Sequence, residues 1–158
     1  MKIIGFHNPG EEYGYLSNWY MSDFEIDGRR FSSMEQYMMY QKAMCFGDTK
    51  IAEKITHTDD VAEAKALGRQ VSGYVEHIWD GKRQIIIYEG LLAKFSQNED
   101  LKAKLMATGD AILAECAVKD LVWGIGCSMT DPARLNMSLW RGRNLLGYAL
   151  MQVREKLK

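Results

Sequence analysis

The chain has 158 residues, a formal net charge of −1, 47% hydrophobic and 26% charged residues. Such a mix excludes a disordered polypeptide and suits one domain with a sizeable core. The near-zero charge argues against a general phosphate-tracking nucleic-acid binder, although a local basic site remains open.

At the start, Met1–Phe6 carries no long apolar h-region, and no run approaches the roughly 20 residues of a membrane span. Cys45, Cys116 and Cys127 are odd in number and far apart, which fits a reducing cytosol rather than a disulfide framework. A cytoplasmic location without membrane attachment is expected. His7, His57 and His77 are equally scattered, so spacing indicates no metal site.

The first regular element to read is a hairpin. Phe24-Glu25-Ile26 and Arg29-Arg30-Phe31 flank Asp27-Gly28, a pair suited to a two-residue turn in which both central residues need positive φ. Ser32 or Ser33 then caps a helix to about Phe46, with Met34, Tyr37, Met38, Met44 and Cys45 on its apolar side. Shorter helices are expected at 50–55 and 60–69, and a longer one from an Asp80 cap to Phe95, with Ile86, Ile87, Gly90, Leu91 and Leu92 inward. Another helix spans 99–107 and stops at Thr108-Gly109. Residues 111–118 are ambiguous between strand and helix, and Trp123-Gly124-Ile125-Gly126 reads as strand giving way to loop. A last helix begins near Asn144 and carries Leu145, Leu146, Leu150 and Val153. No low-complexity stretch or internal repeat divides the chain. The expectation is an α+β fold: a single helix-rich domain over 1–158 with a small N-terminal β-hairpin or sheet.

Glu35 has two readings. Ser32-x-x-Glu35 and Ser33-x-x-Gln36 both match a capping box, in which the third residue returns to the cap's amide. A carboxylate in a helix's first turn is also favoured in its charged form by the helix dipole. That form stabilises an oxocarbenium ion or accepts a proton from attacking water. Lys42 lies about two turns on and nearly in line with Glu35, with Met39 between. This stripe is separate from the apolar one and suits a pocket wall or a solvated face equally.

Four tryptophans need places. Core packing is the expectation for Trp19 and Trp140, whereas Trp79 and Trp123 lie beside polar residues and could stack on a flat heterocycle. Arg141-Gly142-Arg143-Asn144 opens the last helix. Free helix-terminal amides plus two guanidinium groups would make a phosphate site; an exposed loop with a capping asparagine fits as well. Arg83, one turn from Trp79, could contact phosphate or pair with an acidic neighbour.

Ordered blocks along the chain resemble the NADAR (YbiA-like) family. They are Leu16-Ser17-Asn18-Trp19, Phe31-Ser32-Ser33-Met34-Glu35-Gln36-Tyr37-Met38 and Gln41-Lys42-Ala43, then Gly68-Arg69, Trp79, Arg83, Ala93-Lys94-Phe95, Asn98 and Thr108-Gly109. Asp120-Leu121-Val122-Trp123-Gly124-Ile125-Gly126 and Trp140-Arg141-Gly142-Arg143-Asn144-Leu145-Leu146-Gly147 complete the set. The resemblance implies a YbiA-like fold and hydrolysis of N-glycosidic bonds without a cofactor. One branch of the family acts on phosphorylated ribosylaminopyrimidine intermediates of riboflavin biosynthesis, and another removes ADP-ribose from guanine in nucleic acid. Small ribosyl phosphates or ADP-ribosylated guanine are therefore the expected partners, with nucleic acid a possible substrate.

By the same resemblance Glu35 is the catalytic glutamate, Lys42 the helical lysine and Asp120 the acidic residue of the Asp-x-x-Trp-Gly block. Asn18, Trp79, Arg83, Trp123, Arg141, Arg143 and Asn144 become substrate-binding candidates. By spacing alone Asp120 is equally a turn aspartate. Relatives often carry an acidic residue where this chain has Ile125, and Asp120 or Asp131 could substitute. The rival class is a non-catalytic ADP-ribose or nucleotide-binding module, which would dispense with Glu35 and Lys42.

Overall fold

The computed structural model describes all of residues 1–158. It contains six α-helices and two small two-stranded sheets, a helix-rich α+β fold as expected. The chain forms two compact units, one comprising residues 21–97 and the other residues 1–20 together with 98–158.

The unit of residues 21–97 opens with the hairpin. Strands β2 (Met21–Ile26) and β3 (Arg29–Ser33) pair antiparallel around Asp27 and Gly28, at φ 52° and 77°. Two positive φ values give the turn the twist of the flanking strands. Phe24 and Phe31 face one another across the hairpin and meet Tyr37 edge-on, with centroids 5.8 and 5.1 Å from its ring. Tyr37 belongs to α1 (Met34–Cys45), so the aromatic trio locks the hairpin to the helix that follows it. Edge-to-face pairs of this kind add about 0.5–1.5 kcal/mol each beyond their buried area.

Helices α2 (Thr49–Thr56) and α3 (Val61–Gly68) start at Asp48 and Asp60, whose carboxylates accept from Ile51 N and from Ala62 N and Glu63 N. Their apolar residues Ile51, Ala52, Ile55, Ala64 and Leu67 enclose Ala43 of α1. Ala43 thus takes the buried position assigned to Met44, which is 44% exposed. The long helix α4 is Glu76–Gln97 and begins four residues before the expected Asp80 cap. Asp80 lies inside it, 3.4 Å from Arg83 one turn on. Of its expected inner residues, Ile87, Gly90 and Leu91 are buried, whereas Ile86 and Leu92 are half-buried. A Cβ at Gly90 would stand 2.6 Å from Tyr37 and 2.7 Å from Met34, so glycine is required where α4 crosses the start of α1.

The other unit contains β1 (Ile3–Phe6), α5 (Glu99–Ala107), β4 (Ile112–Glu115) and α6 (Leu145–Lys156). Strand β4 resolves the ambiguity at 111–118 and pairs parallel with β1, Ile3 opposite Ile112 and Phe6 opposite Glu115. α5 ends as expected, with Gly109 at φ 61°. Residues 123–126 form turns rather than a strand. Their amides are drawn elsewhere: Gly124 N donates to Asp120 O, Ile125 N to Glu115 O and Gly126 N to Ala117 O. Ile125 is fully buried beside Ala114, Cys116 and Cys127, with Trp140 packed against this group as expected. Trp19 departs from its core assignment at 38% exposed; in its segment Leu16 is the fully buried residue.

Candidate active site

The first turn of α1 separates the two readings of Glu35. Ser33 is the N-cap, and its Oγ accepts from Gln36 N at 3.1 Å. Gln36 returns the favour one residue upstream, its Oε1 accepting from Ser32 N at 2.7 Å and from Ser32 Oγ at 3.1 Å. Its Nε2 donates to Ile55 O and Thr58 O. The buried glutamine therefore closes the cap. Glu35, next to it and half-buried, stands at the positive end of the helix dipole.

Lys42 lies seven residues on, half-buried on the same stripe. Its Nζ stands 4.6 Å from the centre of the Tyr74 ring. Tyr74 is positioned by the loop before α4, which Asp48 ties down by accepting from Ser72 N and Oγ. Two guanidinium groups act on the amine. Gly68 ends α3 so tightly on Met39 that a Cβ would lie 2.0 Å from its Sδ, and Arg69 follows directly. α4 touches Met34 and Tyr37 through Gly90; Arg83, seven residues earlier, comes beside Lys42, so the two helices run antiparallel. Burial lowers the Lys42 amine below its ordinary 10.5, Arg83 and Arg69 lower it further, and Glu35 pulls the other way. Any lowering enlarges the neutral fraction, which is the form that acts as a nucleophile.

Trp79, expected as a stacking wall, is only 4% exposed, so neither face is open to a heterocycle. Tyr74, 42% exposed, is the aromatic surface beside Lys42. Sequence reasoning missed it because its place depends on the loop anchored at Asp48. Arg83 is buried, and its Nε makes no hydrogen bond, Asp80 at 3.4 Å being misaligned for one.

The remaining candidates lie in the other unit. Asp120 acts as the turn aspartate: its Oδ1 accepts from Val122 N and Trp123 N, holding the half-buried Trp123. Asp131, the other substitute considered for the acid absent at Ile125, caps a short 3-10 turn through Ala133 N. Asn18 is buried, and its Oδ1 has no partner.

The expected phosphate cradle at 141–144 does not form from backbone. Arg141 N and Gly142 N donate to Ile125 O, Arg143 N to Leu121 O and Asn144 N to Gly124 O, while Leu145 N and Leu146 N donate to Val122 O and Trp123 O. The amides thought free are occupied, and Arg141 and Arg143 are exposed side chains. Nor is Asn144 a side-chain cap. It sits at φ 53°, fully buried, its Oδ1 accepting from Glu115 N and its Nδ2 donating to Leu113 O. It joins α6 to β4.

A buried acid also escaped the sequence reading. Glu115, opposite Phe6, is brought to His7, whose Nδ1 is 3.4 Å from Oε1; Oε2 has no partner. Burial raises the Glu115 carboxyl, and the contact with Glu115 raises the His7 imidazole. A separation of 108 residues left no local signal.

A NADAR domain model matches residues 5–158. An N-glycosidase of Acanthamoeba polyphaga mimivirus is 36% identical, covering 98% of this chain and 96% of that protein. A riboflavin biosynthesis protein of Vibrio vulnificus is 35% identical over 98% of this chain but only 38% of its own length. The NMR structure of the Escherichia coli protein YbiA matches with a TM-score of 0.82 at 32% identity, covering 99% of this chain and 84% of that one.

Proposed function

The chain belongs to the NADAR domain family, and on that premise we propose that it is an N-glycosidase cleaving the bond between a ribose and a base. Its relatives include proteins named as N-glycosidases that it matches over nearly their whole length. The observation that carries the reading to particular residues is the stripe on α1. Gln36 closes the cap, Glu35 stands beside it in the first turn, and Lys42 is an amine lowered from its ordinary value on the same face. A non-catalytic nucleotide-binding module has no use for either property.

Two routes break the bond with these groups. In direct hydrolysis, Glu35 stabilises positive charge at the anomeric carbon or takes a proton from water as its oxygen bonds there, and the base leaves with a proton. In the amine route, a ribosylamine opens to an imine and Lys42 Nζ adds at the same carbon. The base amine departs protonated, and water then hydrolyses the lysine imine to release sugar and free amine. Neither route consumes a cofactor.

The proposed substrates are phosphorylated ribosylaminopyrimidines of riboflavin biosynthesis or ADP-ribose on guanine. A relative named as a riboflavin biosynthesis protein supports the first. Trp123 and Asn18 remain candidates for holding a base or ribose, with Asp120 fixing Trp123. Arg141 and Arg143 remain candidate phosphate contacts through their side chains alone. No helix is long and apolar enough to cross a membrane, and the three unpaired cysteines support the cytoplasm as the working compartment.

Incubation with ribosylaminopyrimidine phosphate and with ADP-ribosylated guanine, monitored for released base or ADP-ribose, tests the proposal. Turnover of one identifies the branch. Tight ADP-ribose binding with turnover of neither would establish the binding module instead.

A further inference from the structure

We infer that Arg83 and Arg69, both of which act on Lys42, form the seat for a phosphate group of the substrate. The inference rests on the N-glycosidase reading for what the substrate is, but the seat itself follows from the site's charges and contacts.

The first ground is Arg83. Its side chain is only 9% exposed, and Nε is buried without a hydrogen bond. A charge taken out of water is costly unless it is paired and hydrogen-bonded. Asp80, itself 41% exposed in its side chain and misaligned on Nε, meets that need poorly. A planar guanidinium in this state is suited to an oxyanion with several acceptor oxygens.

The second ground is the balance of charge. Arg69 and Arg83 both act on Lys42, against the carboxylate of Glu35, and Arg83 faces Asp80 at 3.4 Å. Three cations facing two carboxylates leave the cluster one positive charge in excess when all are ionised. A phosphate monoester or a diphosphate neutralises that excess. Arg69 is exposed and Arg83 buried, so one guanidinium is available at the surface and the other is already out of water.

The third ground is the fate of the alternative. An amide cradle at 141–146 would have been the simpler phosphate site, yet Arg141, Gly142, Arg143, Asn144, Leu145 and Leu146 all spend their N–H groups on carbonyls of residues 121–125. That loop's backbone is thus closed to a phosphate, which leaves the arginine side chains as the candidates. The buried one with an unmet donor is Arg83.

Binding of ribose 5-phosphate, ADP-ribose and plain ribose to the full chain, measured by calorimetry or NMR titration, tests the seat apart from catalysis. The wild type is expected to bind ribose 5-phosphate at least about tenfold more tightly than ribose. Arg69→Gln and Arg83→Gln should each remove most of that preference, Arg83→Lys should restore part of it, and Glu35→Gln, which removes one opposing carboxylate, should keep or strengthen it. Arg69 is exposed, so its variant remains informative even if replacing Arg83 unfolds the protein. A higher affinity for ADP-ribose than for ribose 5-phosphate would identify the diphosphate as the occupant; the reverse would identify the monoester. The seat is overturned if neither arginine changes the preference, if ribose weakens equally, or if Arg141→Gln or Arg143→Gln carries the loss. A phosphate preference without hydrolysis of either substrate would sink the N-glycosidase reading and leave the seat standing.

Discussion

Glu35 and Gln36 are neighbours in one helical turn with separable contributions, and substitution should tell them apart. Glu35→Gln keeps the shape and should lower kcat by about 10²–10⁴-fold, the range for a positioned acid or base, with little change in Tm. Gln36→Ala strips acceptors from Ser32 and donors from Ile55 O and Thr58 O. It should destabilise by about 1–3 kcal/mol in chemical denaturation while retaining wild-type kcat per folded molecule. Lys42 carries a pH prediction. Because its amine is lowered from 10.5, a lysine nucleophile gives a rate that rises with pH to a midpoint below that value. Borohydride should trap a covalent adduct with active enzyme and substrate; no adduct excludes the lysine route. Lys94 on α4 is fully buried and lowered to about 7. The folded state therefore binds fewer protons than the unfolded chain between about 7 and 10.5, and stability rises with pH across that window. Below it the cost of charging the buried amine is fully present. Lys94→Met should remove this rise, so that the variant's stability relative to wild type falls from pH 6 towards pH 10.5; a pH-independent difference would refute this.

Among elements, the start of α6 is the most exacting junction. A Cβ at Gly147 would stand 2.0 Å from Leu113 O, on the strand whose backbone also holds the Asn144 amide. Gly147→Ala should cost more than the roughly 1–3 kcal/mol typical of overpacking, because the obstructing atom is backbone and cannot rotate away. The measurement is the denaturation midpoint, and a wild-type midpoint would show that α6 can shift. The same junction shows where local reading stops. Asn144 at a helix start looks like a cap in sequence, because capping depends on residue type and position alone. Its buried side chain instead bonds β4, about 30 residues away in the chain. The 123–126 segment was misread for a similar reason: its apolar residues suit a strand, but Asp120 and the carbonyls of β4 and its flank claim the amides.

At the scale of the molecule, one family model spans 5–158 although the chain forms two compact units. We propose that both belong to one domain, and expect one cooperative unfolding transition by fluorescence and circular dichroism; two separated transitions would count against it. Helix-rich α+β character, the Asp27-Gly28 hairpin, a serine cap at 32 or 33 and the stop at Gly109 were legible from sequence. Each depends on contacts within a few residues, where backbone preference and periodicity act. The stripe shared by Glu35 and Lys42 was legible too, since helical geometry alone aligns them. Only the tertiary structure decided that Gln36 closes the cap, that Tyr74 rather than Trp79 offers the aromatic face, and that Arg69 and Arg83 act on the lysine. It likewise withdrew the backbone amides from the proposed phosphate loop and brought His7 to Glu115. Burial and charge at these places come from segments distant in the chain, and no local pattern encodes how much water a side chain loses when such segments pack together.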